Sequence, residues 1–97
     1  MVIGVSRLEL LLPECGSLKE KRQVVKSILD RVKNKFGVSA AEIDHHDLWQ
    51  RASLGIACIA QTNYQAKKLL FKVERFVEQL NKANILDNHI TTLMLEE

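Results

Sequence analysis

The apolar periodicity of this chain switches from two residues to between three and four and back again, twice over, and few folds accommodate that order. Residues 2–12 put Val2, Gly4, Ser6, Leu8, Leu10 and Leu12 on one face of an extended strand and Ile3, Val5, Arg7, Glu9 and Leu11 on the other. Pro13, which has no amide hydrogen for continued pairing, and Gly16 mark the turn. Ser17 and Glu20 have the spacing of a capping box, in which the serine oxygen accepts from the Glu20 amide and the Glu20 carboxylate reaches back to the serine amide. A helix is predicted over 17–36, with Leu18, Val25, Ile28, Leu29, Val32 and Phe36 as its apolar stripe and Gly37 as a left-handed stop.

The second half repeats the pattern. A weak alternation over 38–45 predicts an edge-like strand, followed by a polar loop that carries Trp49. Residues 51–61 set Ala52, Leu54, Ile56, Cys58 and Ala60 against Arg51, Ser53, Gly55, Ala57 and Ile59. Thr62 or Asn63 caps a second helix, whose stripe runs through Ala66, Leu69, Leu70, Val73, Phe76, Val77 and Leu80. Phe71, like Phe36 and Phe76, is expected on or near the core stripes. Alternation returns over 85–95 as a final strand.

Strand, helix, strand, strand, helix, strand is the order of a ferredoxin-like α+β sandwich, a four-stranded antiparallel sheet with two helices on one face. At 97 residues a single such domain over 1–97 is expected, with little room for a deep enclosed cavity. The other sheet face is left bare, and by parity it carries Arg7, Glu9, Arg51, Ser53 and Gly55 between the apolar Ile3, Val5 and Ile59. A face so mixed predicts a homodimer, the alternative being a solvated monomer surface. No basic leader precedes the first strand, and no run approaches the roughly 18 uncharged apolar residues of a membrane span. A cytoplasmic protein is therefore expected. Cys15 and Cys58 form neither a disulfide framework nor a CxxC pair, and no cofactor motif is present.

The modest net charge of +2 conceals segregation. Residues 17–36 hold seven Lys or Arg against two acidic residues, and the second helix with Lys82 holds five against two. The remainder is acidic. Lys19, Arg22, Lys26 and Lys33 fall near one line of the first helix, and Lys67, Lys68 and Lys72 cluster on the second, so the helical layer is a candidate surface for a polyanion. The competing explanation is that Lys and Arg are ordinary occupants of any solvated helix face. The sheet lacks the aromatic platform of RNA-binding domains with this topology, so contact through phosphate and shape is expected.

The segments VIGVSRLELLLPECGSLKEKRQVVKSILDRVKNKFGVSAAEID and HHDLWQRASLGIA, with the run SLKEKR, the Phe-Gly-Val helix exit and the DLWQRA junction, resemble the bacterial YlxP-like family end to end. The resemblance implies a ferredoxin-like fold, gene proximity to transcription, translation-initiation and ribosome-maturation factors, and no established activity or catalytic residue. His46 stands where the family pattern has glutamine.

Three further groups of residues are candidate sites. His45, His46 and Asp47 with His89 are the only candidate metal cluster, but adjacent histidines of a strand point to opposite faces, and a polar strand end is the simpler explanation. Cys15, near a helix N-terminus, is a candidate for a lowered thiol pKa, with no histidine base nearby in sequence. Trp49, beside a strand entry, is expected to close the core end or a dimer seam, with ligand stacking as the alternative. Together these features point to a non-enzymatic dimeric accessory protein associated with RNA or a ribosomal subunit. The second hypothesis is a regulatory dimer that holds a ligand or peptide near Trp49, Arg51, Arg7 and Glu9.

Overall fold

A computed structural model describes residues 1–96 of the chain. The elements follow the predicted order: β1 (Val2–Leu11), α1 (Leu18–Phe36), β2 (Ser39–Asp44), β3 (Arg51–Ala60), α2 (Asn63–Gln79) and β4 (Asn84–Met94). The sheet runs β2-β3-β1-β4 with every neighbour antiparallel, the ferredoxin-like arrangement predicted from the pattern. Among the described residues no helix is long and apolar enough to cross a membrane.

The parity of the central strands is as expected. Val2, Leu8 and Leu10 of β1 and Ala52, Leu54, Ile56 and Cys58 of β3 are buried with Val25, Ile28 and Val32 of α1 and Ala66, Leu70, Val73 and Val77 of α2. The α2 stripe has spacings of four, three and four residues, so one narrow face of the helix meets the sheet. That helix approaches closely at Gly4, where an added Cβ would lie 3.0 Å from the Ala66 Cβ and 3.1 Å from the Cys58 Sγ. The helix ends are capped locally. Thr62 Oγ1 accepts from the Gln65 amide at 3.1 Å, and Gly37 closes α1 at φ 65° and ψ 27°. At the other end Ser17 accepts from the Glu20 amide, but the Glu20 carboxylate accepts from the Gly16 amide at 2.9 Å instead of from the predicted serine amide.

Four expectations are corrected by packing. The strand ends differ by a residue or so, because pairing stops where a partner strand stops. Lys21, counted with the basic surface of α1, is 0% exposed. It occupies the stripe position between Leu18 and Val25, and its ammonium donates to Glu42 of β2 and to the His45 carbonyl (2.8 Å). Phe71, expected near the core, is exposed, because the rotation of α2 puts Leu70 inward and turns the next residue out. Trp49 is 53% exposed, so of its two expected places the core end is the one corrected.

Two bulges shape the sheet edges. The β2–β3 register shifts between Glu42 and Asp44, and the β1–β4 register shifts between Glu9 and Leu10. The extra residue in β2, Ile43, lies across Gly55, whose added Cβ would meet the Ile43 Cγ2 at 3.0 Å. The small-residue face of β3 is thus covered in part by its own neighbour.

A candidate nucleic-acid interface

Because Ala66, Leu70, Val73 and Val77 face the sheet, the opposite stripe of α2 is fixed by helical geometry as Tyr64, Lys67, Lys68, Phe71, Lys72 and Arg75. All six are exposed, and together they line a groove of about 530 Å³. Tyr64 is 70% and Phe71 53% exposed. The Lys68 ammonium stands 5.8 Å from the centre of the Tyr64 ring. Among the described residues no ion pair engages Lys67, Lys68, Lys72 or Arg75. Glu74, the one carboxylate between Tyr64 and Arg75, is turned to the sheet, where it accepts from the Asn88 amide nitrogen at 2.7 Å. The result is a stripe of unneutralised cations around two bare rings.

The predicted cations of α1 extend this surface unevenly. Lys19, Arg22, Lys26 and Lys33 are all exposed as expected. Lys26, however, donates to Asp30 at 2.8 Å, a bond that raises the lysine pKa and lowers that of the carboxyl. The two helices meet where Phe36 and Phe76 pack edge to face at 5.5 Å, with the Lys35 ammonium 5.0 Å from the Phe76 ring. Lys67, Lys68 and Lys72 were legible in the sequence as a basic cluster and Arg75 entered only in the charge of the helix, whereas Tyr64 and Phe71 were missed as members of this surface. The available signal was the spacing of Tyr64, Phe71 and Arg75, seven and four residues, on the line opposite Ala66 and Val73.

The bare sheet face carries the residues that parity assigned to it. At one end Glu9 accepts from Arg7 Nε at 2.6 Å and from Ser53 Oγ at 2.6 and 2.8 Å, while Arg7 Nη2 reaches Asp44 at 3.3 Å. Arg51 Nη2 lies 3.6 Å and His45 Nε2 3.7 Å from the same carboxylate. Burial pushes the Glu9 pKa up, but the hydrogen bonds from Ser53 and Arg7 prevail and hold it below the ordinary carboxylate range. Glu9 is therefore an ionised, fully engaged acceptor at neutral pH, unsuited to giving up a proton. Next to this cluster a groove of about 480 Å³ is lined by Val5, Ile43, Gly55, Ala57 and Thr91, among others.

Trp49 lies in a separate hollow with Asp47, Leu48, Gln50 and Arg51. Gln50 ties this loop to the β1–α1 turn by donating to the Pro13 carbonyl at 3.1 Å. The histidines do not converge: His45 leans toward Glu9, whereas His89 pairs opposite Arg7 in β4. Among the described residues no group of three or more His, Cys, Asp or Glu could hold a metal. The Cys15 thiol is buried, and burial, with help from Glu20, raises its pKa, opposite to the lowering considered from its place before α1.

The profile of a family described as "Protein of unknown function (DUF503)" matches residues 3–90. "Uncharacterized protein YlxP" of Bacillus subtilis strain 168 is 47% identical over 77 residues, which cover 79% of this chain and 84% of that protein. Two designed proteins share the architecture at low identity. One, Foldit4, matches with a TM-score of 0.55 at 16% identity over 99% of this chain and all of its own. The other, LFR1 1, described as having a ferredoxin fold, matches with a TM-score of 0.52 at 18% identity over all of this chain and 87% of its own.

Proposed function

This chain belongs to the DUF503 family, whose description assigns no activity, and on that premise we propose that it is a non-enzymatic accessory protein that binds RNA through its helical layer. The observation that carries this reading is the α2 stripe, four cations without an ion-pair partner beside two exposed rings, with the one carboxylate between its ends, Glu74, engaged by Asn88. A protein gains nothing in stability from rings left in water, and unneutralised cations in a line match a phosphate backbone. The ribosomal or translational setting is an extension from the resemblance to the YlxP-like family.

The test is fluorescence anisotropy of a labelled unstructured RNA over a salt series, followed by gradient co-sedimentation with ribosomal subunits. Replacing Lys67, Lys68, Lys72 and Arg75 together by glutamine removes up to four phosphate contacts. The slope of log affinity against log salt is expected to become shallower by about 3, at roughly 0.7 per contact on a single strand. The equivalent change at Lys19, Arg22, Lys26 and Lys33 is expected to have a smaller effect, because Asp30 already neutralises Lys26. Affinity that ignores both salt and the α2 substitutions would end this reading.

A second observation favours a homodimer through the bare sheet face. Ile59 is 72% exposed there, Val5, Ile43 and Leu93 are exposed around it, and the groove beside Arg7 is apolar. Arg7 and Arg51 against Glu9 and Asp44 balance to zero at one end, so two copies related by a two-fold axis meet without net repulsion. This leaves both helical layers outward and available to RNA. Sedimentation equilibrium is expected to give a dimer for the native chain and a monomer of unchanged circular dichroism for the Val5→Asp, Ile59→Asp variant. A native chain that sediments as a monomer would remove the dimer and leave the groove open to a small ligand or peptide.

A further inference from the structure

Resting on the RNA reading above, we infer that α2 selects single-stranded RNA, its bases stacking on Tyr64 and Phe71 while Lys67, Lys68, Lys72 and Arg75 hold the phosphates. Seven residues separate the two rings. At 1.5 Å per residue that is about 10 Å along the helix, and seven steps of the helical turn return almost to the same azimuth. Both rings therefore face the same way. Stacked nucleotides advance about 3.4 Å each, so the rings are spaced for bases roughly three positions apart.

Lys67 and Lys68 lie between the rings in sequence, and Lys72 and Arg75 lie after Phe71. A strand that follows the groove meets ring, cations, ring, cations in turn. The Lys68 ammonium over the Tyr64 ring leaves a cation beside the first stacking position. A duplex presents phosphates but keeps its base faces within the stack, so it can use the cations and not the rings. The rings are thus the feature that distinguishes the two ligands. Of the two carboxylates that share a hollow with Phe71 and Arg75, Glu74 is held by Asn88 and Glu78 lies past the end of the stripe, so cations outnumber free carboxylates along it and a polyanion is favoured over an acidic-and-basic protein surface.

The experiment compares an unstructured CAA-repeat RNA with the same strand annealed to its complement, using native protein, Tyr64→Ala/Phe71→Ala, and the four-glutamine variant. The double alanine variant is expected to lose affinity for the single strand by about tenfold per ring, about a hundredfold in all. It should keep its duplex affinity and its salt slope, because every cation remains. Tyr64→Phe/Phe71→Tyr is expected to restore single-strand binding, and thermal unfolding should not move, since both rings are exposed. If the double alanine variant binds the single strand as the native protein does, or loses both ligands equally, single-strand selection is overturned while RNA binding stands. If the native protein binds neither RNA in a salt-dependent way, the RNA reading falls and this inference falls with it.

Discussion

Lys21→Ala is expected to lower the unfolding free energy by about 3–5 kcal/mol, the cost of leaving one member of a buried ion pair without its partner. Total stability in a domain of this kind is about 5–15 kcal/mol, so the loss would remove at least about a fifth of it. The ammonium of Lys21 is fully buried between α1 and the β2 edge, where it satisfies both the Glu42 carboxylate and the His45 carbonyl. His45 itself turns at φ 64°, a backbone conformation held in part by that bond. Without the lysine, the half-buried Glu42 carboxylate must draw water into the layer. Urea unfolding monitored by circular dichroism measures the loss, and Lys21→Met/Glu42→Leu is expected to recover most of it by replacing both charges with apolar volume. A loss below about 1 kcal/mol for Lys21→Ala would mean that the pair is solvated and contributes no more than a surface bridge.

Gly4→Val is expected to cost about 2–3 kcal/mol through overpacking, with a fall in melting temperature on the order of 10 °C. An added Cβ at Gly4 meets the Ala66 Cβ at 3.0 Å, the Cys58 Sγ at 3.1 Å and the Leu70 Cδ1 at 3.1 Å, and the first of these is fixed to a helix backbone that cannot give way alone. Ala66→Gly in the same chain is expected to relieve the clash, less about 1 kcal/mol for glycine within a helix. Gly55→Ala is the control. Its Cβ would meet the Ile43 Cγ2, also at 3.0 Å, but Ile43 is an exposed side chain in a bulge and can turn aside, so little change is expected. Equal losses at Gly4 and Gly55 would show that the close approach of α2 does not set the cost.

Alternation in β1 and β3 and the stripes of α1 and α2 were legible in the residues themselves, because side-chain direction within an element follows from its own period. The order of elements, the inward and outward parity of the central strands, the Thr62 and Gly37 caps and the composition of the bare sheet face are all of this kind. Lys21 shows where such reasoning stops. It sat at a stripe position in α1, and Glu42 sat on the core parity of β2, but nothing in either segment says that the two would meet across the layer. Phe71 is the converse case. Leu70 and Phe71 are both apolar and about 100° apart on the helix, and only the docking of α2 onto Gly4 decides which turns inward. The sequence by itself determined the elements, their order and their faces, because these depend on local periodicity and capping. The tertiary structure alone decided that one lysine is buried and two rings are bare, because burial depends on what another element places opposite.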